Sequence, residues 1–297
     1  MVTSTDRSAL VFVDHEPYRI VAIREGGMGK VWLLAKPLNA TPDAVYRLRL
    51  AVKTFKPSMS IELVERELNN WIGLEHIAIL PLIKIGSLND DLAAIMPIRR
   101  CNLEEVVEER VALKEEDAVS VLMNVSQGLS YAWRSSGLLH LDLKPSNILL
   151  EGEGIEHPQV ADWGISRLTC TDVMPPTDLS VGKGLIRPAQ LTQYAVGTPI
   201  YMSPERLSGR WELACSADIY SLGMMAVQLV TGVLPFRFDE HSPLEEVRSE
   251  SYIRNAEIVL GKVSSRYKQF CLACIHPSPK RRISDYDAII SMLQEMG

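Results

Sequence analysis

The chain has 297 residues, of which 46% are hydrophobic and 23% charged, with a formal net charge of −6. That apolar content suffices for one large core or two smaller packed lobes, and the scattered basic residues exclude a nucleic-acid binder that works through a basic patch. Five cysteines without framework spacing exclude a disulfide-stapled secreted domain and point to a reducing, cytoplasmic setting.

Residues 1–17 read as an N-terminal arm, and 1–8 are polar with no apolar signal region. Two strands, 18–23 and 31–35, flank a glycine-rich turn, and 48–55 forms a third strand with Lys53 near its end. The period then changes. Over 60–74 the residues Ile61, Val64, Leu68, Trp71 and Ile72 share one helical face. Further strands are expected at 80–85 and 92–95.

From Asn102 onward the pattern is mostly helical, over 103–111, 115–136, 217–231, 264–274 and 284–296. Residues 168–194 are rich in Thr, Pro and Gly and read as a long loop. The long apolar run 219–236 holds Ser221, Gln228 and Thr231 and ends in Leu234-Pro235, so it reads as a core helix and not as a membrane segment. Strands first and helices second predict an α+β protein of two lobes, 18–96 and 102–297, joined by a hinge at 97–101. Cys271 and Cys274 have the spacing of half a zinc site, with His276 near. Their apolar context favours two buried helical thiols.

Four segments carry chemistry. In Ile23-Arg24-Glu25-Gly26-Gly27-Met28-Gly29-Lys30-Val31, glycines let backbone amides pass close over phosphate oxygens. In Leu50-Ala51-Val52-Lys53, a lysine on an apolar strand needs an anion and a counter-carboxylate, and Glu67 on the following helix is the natural partner. In His140-Leu141-Asp142-Leu143-Lys144-Pro145-Ser146-Asn147, a carboxylate, a cation and an amide lie in one loop. Phosphoryl transfer needs such a set: a group to orient and deprotonate the attacking hydroxyl, a positive charge for the moving phosphoryl, and an oxygen for a metal. In Val160-Ala161-Asp162-Trp163-Gly164, Asp162 adds a second hard oxygen ligand of the kind Mg²⁺ prefers.

With these motifs in place, the chain resembles the eukaryotic-type (Hanks-type) protein Ser/Thr kinase catalytic domain over nearly its full length. Its Glu-Gly-Gly-Met-Gly turn is similar to that of bacterial members. The resemblance implies a bilobal fold with a small β-rich lobe and a larger helical lobe, and transfer of the ATP γ-phosphate to Ser/Thr hydroxyls of protein substrates. It implies that residues 23–31 and Ala51 contact ATP, that Lys53 holds its α/β-phosphates and pairs with Glu67, that Asp142 is the base with Lys144 beside it, and that Asn147 and Asp162 hold Mg²⁺.

Gly197-Thr198-Pro199 through Ser203-Pro204-Glu205 resembles the end of an activation segment. The resemblance implies that Glu205 pairs with Arg282 and that Asp218, at the start of a buried central helix, braces the catalytic loop. No nucleic-acid partner is implied, and no membrane segment is expected in this chain.

Four residues depart from the family pattern. Arg24 stands where the first loop glycine is usual and can crowd that turn. Leu141 replaces an arginine that receives an activation-segment phosphate. Trp163 replaces phenylalanine and brings an N–H that needs a partner if buried, and Ser203 replaces alanine. The alternative reading is a pseudokinase, a binding or scaffold module of the same fold. A small-molecule phosphotransferase on a related fold is the other alternative; such relatives generally lack the Gly-Thr-Pro and Asp218-Ile-Tyr-Ser-Leu-Gly223 segments.

Overall fold

The computed structural model describes residues 10–25, 29–36, 48–56, 61–152, 154–163, 167–168, 199–208, 214–236 and 250–297. The chain divides into two compact units, Met1–Arg100 and Cys101–Gly297.

The first unit is a six-stranded antiparallel barrel. Its strands are β1 (Leu10–Val13), β2 (Glu16–Glu25), β3 (Gly29–Lys36), β4 (Leu48–Phe55), β5 (Lys84–Leu88) and β6 (Asp91–Pro97), in the order β1-β2-β3-β4-β6-β5. Period-two alternation sends Val11, Val13, Tyr18, Ile20, Leu34, Val52, Leu88 and Ile95 into one core. A bulge where β2 meets β3, between Ile20 and Ala22, leaves Val21 outside the pairing and exposed.

The expected arm over 1–17 needs correction, because from Leu10 it is strand β1, paired with β2 and closed onto β5 through Val13 and Leu88. The hairpin was hidden because its turn is Asp14-His15, not a glycine pair. Both residues take positive φ, 48° and 68°, as a two-residue hairpin turn requires. A second such turn, Asn89-Asp90, interlocks with it. The Asn89 amide donates to the Phe12 carbonyl at 2.8 Å, and the Phe12 amide donates to Asn89 Oδ1 at 2.9 Å. Asp14 Oδ1 accepts from the Ser87 amide at 2.7 Å, and Lys84 lies 2.5 Å from Asp14 Oδ2.

The strand expected at 80–85 begins only at Lys84. Residues 78–80 and 82 are buried without joining the ladder there, and the Leu80 carbonyl accepts from the Trp71 indole at 2.7 Å. Trp71 belongs to α1 (Ile61–Ile72), whose buried stripe is Val64, Leu68 and Trp71. Ile61 and Ile72, placed on that face by the sequence, lie 67% and 42% exposed. At about 100° per residue they fall at the edge of the stripe.

The second unit holds α2 (Leu103–Arg110), α3 (Glu115–Ser136), α4 (Pro204–Leu207), α5 (Cys215–Thr231), α6 (Ser251–Val259), α7 (Ser265–Cys274) and α8 (Tyr286–Gln294). It also holds the short strands β7 (Cys101–Asn102), β8 (Leu138–Leu139), β9 (Ile148–Leu150), β10 (Gln159–Val160) and β11 (Arg167–Leu168).

Local chemistry sets the helix ends. A capping box between Asn102 and Glu105 opens α2, Gly137 closes α3 at φ 63°, and the Ser264 and Asp285 side chains cap α7 and α8. Helix α5 is buried along nearly its whole length. It crosses α7 where a Cβ on Gly223 would stand 2.4 Å from the Cys274 Cβ. Cys271 and Cys274 are buried free thiols in that packing, and burial pushes both well up from the ordinary thiol range. No described helix is long and apolar enough to cross a membrane. The expected loop at 168–194 lies, beyond Leu168, outside the described residues.

Two outcomes follow from this packing. The hydrogen bond from Lys84, then that from the Ser87 amide, hold the Asp14 carboxyl below its ordinary 3.8. A depressed carboxyl stabilises the fold above its unfolded pKa and loses that contribution as pH falls through the folded value. The stability gap between the parent and Asp14→Asn, read by urea unfolding, should therefore shrink between about pH 5 and pH 3. Gly223→Ala should cost ~1–3 kcal/mol in the same assay, because the α5–α7 crossing has no room for a methyl.

Candidate active site

In the second unit, antiparallel pairing of β9 with β10 brings two distant segments together. The Ala161 amide donates to the Asn147 carbonyl at 2.9 Å, so Asn147 and Asp162 sit on adjoining strand ends. Asn147 closes a 3₁₀ turn, Pro145–Asn147, in which proline presets the first φ.

Asp142 is held from both sides within this loop. Lys144 Nζ lies 3.0 Å from its Oδ2. Asn147 Nδ2 donates to the same oxygen at 3.1 Å and to the Asp142 carbonyl at 2.8 Å. Only the NH₂ end of an amide can serve two acceptors, so the Asn147 Oδ1 is the end left for a cation. Asp162 takes φ 63°, a left-handed conformation that aspartate tolerates better than most residues. Among the described residues, Asn147 and Asp162 therefore supply hard oxygens of the type that suits Mg²⁺.

Behind the loop stands Asp218, fully buried in the first turn of α5. Its Oδ2 accepts from the His140 amide at 2.7 Å and the Tyr286 hydroxyl at 2.9 Å, and its Oδ1 accepts from the Leu141 amide at 2.7 Å. Burial first, and then the charge of Asp218, push the Tyr286 hydroxyl well up; the same causes push the Cys215 thiol up to about 12.

His140 carries the support forward. Its Nδ1 accepts from the Asp142 amide at 3.1 Å, which leaves Nε2 to donate to the Ala161 carbonyl at 2.9 Å. The ring meets Trp163 edge-on at 4.9 Å, and the buried Trp163 indole donates to the Val160 carbonyl at 3.3 Å, so the N–H of this departure has its partner. Leu141, buried at φ 65°, gives its carbonyl to the Arg206 guanidinium.

Glu205 and Arg282 form a buried bidentate pair at 2.7 and 3.1 Å. Arg282 also donates to the carbonyls of Ser216, His276 and Pro277, and stacks 5.0 Å from the Tyr220 ring centroid. On α2, partial burial and then Glu108 hold the Glu104 carboxyl above its ordinary range, against the opposing charge of Lys144.

In the first unit, Lys53 is buried on β4 between Val31 and Ala94, with its ammonium 5.3 Å from the Phe55 ring centroid. Ala51 is buried on the same strand. Arg24 and Glu25 continue the β2–β3 ladder opposite Val31 and Lys30, with exposed side chains, so Arg24 leaves the pairing intact. Ile23 lies one step earlier, partly buried against the core. Gly29 has a structural requirement of its own: a Cβ there would meet the Thr54 carbonyl oxygen at 1.9 Å. Gly26, Gly27, Met28, Thr198 and the side chain of Glu67 lie outside the described residues.

Arg206 and Tyr286 were not anticipated from the sequence. Arg206 reaches the loop across 65 residues and Tyr286 supports it through Asp218 across 68, and no local motif marks either.

The family model described as protein kinase domain matches residues 20–295, and the chain belongs to that family. Several similar proteins are named serine/threonine-protein kinases. The chain is 32% identical to serine/threonine-protein kinase pkn3 of Myxococcus xanthus over 75% of its length and 39% of that protein. It is 28% identical to serine/threonine-protein kinase PknD of Chlamydia abortus over 92% and 30%, and 26% identical to serine/threonine-protein kinase 36 of Mus musculus over 91% and 18%. The chain thus spans well under half the length of these relatives.

Removing one partner of the Glu205–Arg282 pair strands a buried charge. Arg282→Ala and Glu205→Ala should each lower unfolding free energy by ~3–5 kcal/mol, and the double variant by clearly less than the sum, in a urea-denaturation double-mutant cycle.

Proposed function

We propose that this chain is an active protein serine/threonine kinase domain that transfers the γ-phosphate of ATP to hydroxyls of protein substrates and is able to phosphorylate itself. The observation that carries the reading is Asp142 held by Lys144 and Asn147, with Asp162 on the adjoining strand. On this reading residues 18–96 and 102–297 are the small and large lobes of a bilobal kinase fold, joined at 97–101. A cytoplasmic location fits the buried thiols of Cys215, Cys271 and Cys274, which form no disulfide.

The proposed roles follow the chemistry of each group. Asp142 orients the substrate hydroxyl and accepts its proton as the oxygen bonds to the γ-phosphorus and the bond to ADP breaks. Lys144 offsets negative charge on the transferring group. Lys53, paired with Glu67, holds the α/β-phosphates, and residues 23–31 with Ala51 line the nucleotide. Asn147 and Asp162 would hold Mg²⁺, which supplies charge neutralisation at the phosphates. Asp218 and the Glu205–Arg282 pair fix the loop and the segment after Thr198.

The test is transfer of labelled phosphate from ATP to the chain and to a generic protein substrate. Asp142→Asn should lower kcat by roughly 10²–10⁴-fold while nucleotide binding survives. Lys53→Met and Asp162→Ala should fall at least as far. A parent that binds nucleotide but transfers nothing would favour the binding-module alternative.

A further inference from the structure

The peptide that joins Leu141 to Asp142 is gripped on both edges. Its N–H, from Asp142, goes to His140 Nδ1 at 3.1 Å. Its C=O, from Leu141, goes to the Arg206 guanidinium. The preceding peptide is fixed as well, since the Leu141 amide donates to Asp218 Oδ1 at 2.7 Å.

Such restraint has a physical reason. Leu141 sits at φ 65°, a left-handed conformation that a branched side chain resists. Left to itself this residue relaxes toward negative φ and rotates the following peptide. The plane of that peptide sets the direction of the Asp142 Cα–Cβ bond, so any relaxation swings the carboxylate that Lys144 and Asn147 hold by its Oδ2.

Two of the three groups that hold this turn, His140 and Asp218, are buried in the loop and the helical core behind it, where Tyr286 donates to Asp218 in turn. Arg206 is different. It projects from α4, the four-residue helix after Ser203, and the same helix carries Glu205 in its pair with Arg282. The grip on the Leu141 carbonyl therefore comes from the segment following residue 198 and is anchored through Arg282.

We infer that Arg206 is a positioning residue for the phosphoryl transfer reaction: its guanidinium, by holding the Leu141 carbonyl, fixes the peptide that aims Asp142. This rests on the kinase reading above. A charge-assisted bond to a carbonyl is among the stronger hydrogen bonds. Its loss acts on the attack step and leaves the nucleotide site, built from other residues, untouched.

The experiment compares the parent with Arg206→Ala, Arg206→Lys and Asp142→Asn in steady-state peptide phosphorylation, with thermal unfolding run alongside. Arg206→Ala should lower kcat roughly 10- to 100-fold, with KM for ATP unchanged. Arg206→Lys should recover part of the loss, and added guanidinium at concentrations below denaturing should raise kcat of Arg206→Ala but not of Asp142→Asn. If Arg206→Ala does not fold, Arg206→Lys decides alone: a lowered kcat at constant KM for ATP supports the assignment. Either variant at parental kcat overturns it, as does a loss that tracks thermal instability and is not rescued. An inactive parent overturns the kinase reading and this inference with it, whereas an active parent with an indifferent Arg206 overturns only the inference.

Discussion

A single fully buried carboxylate, Asp218, holds the second unit's candidate site together. Taking such a group out of water costs several kcal/mol unless its oxygens are matched. Here they are matched by the backbone amides of His140 and Leu141 and by one tyrosine hydroxyl. The loop cannot leave Asp218 without stranding it, so the energetic cost of exposing or unpairing this group becomes the restraint on His140 and Leu141. From there the order passes outward. His140 takes the Asp142 amide and the Ala161 carbonyl, and so ties the residue before Asp162 to the loop that holds Asp142.

Two of the buried carboxylates of this unit, Glu205 and Asp218, are satisfied in different ways, and the difference suits what each fixes. Glu205 meets a guanidinium in the bidentate geometry that best offsets its charge. Arg282 in turn spends its remaining donors on three carbonyls and lies against Tyr220. That arrangement welds the segment 203–207 to the turn before Asp285, and it depends on charge more than on the direction of any one peptide. Asp218 meets neutral amides instead. An amide has one direction, set by its peptide plane, so accepting it fixes backbone orientation.

Much of this was legible in the sequence where residues close in the chain do the work. Strand 48–55 and helix 115–136 coincide with β4 and α3, because alternation in the first and an uninterrupted amphipathic run closed by Gly137 in the second leave few alternatives. The loop from His140 to Asn147 announces its chemistry through types and spacing alone. The hidden features are of two kinds. Strand β1 carries a turn, Asp14-His15, whose residues seldom mark a hairpin, and the strand expected at 80–85 begins only at Lys84, with Leu80 and Leu82 buried ahead of it. Ile61 and Ile72 show the limit of periodicity, which locates a stripe but not its edges.

The site partners that sequence reading missed are long-range by nature. Arg206 acts on a loop 65 residues away through a guanidinium whose target is a backbone carbonyl, and Tyr286 acts on the same loop only through Asp218. A backbone target leaves no complementary residue type to recognise. The Glu205–Arg282 pair could be read because both positions match motifs of the family the chain resembles. The hold on the Leu141 carbonyl could not, since the carbonyl is common to every residue. What singles out this carbonyl is φ at Leu141, a property of the folded chain. Where a non-glycine residue is kept in the left-handed region, the groups that grip its two flanking peptides are the natural place to look for control of the side chain that follows, here Asp142.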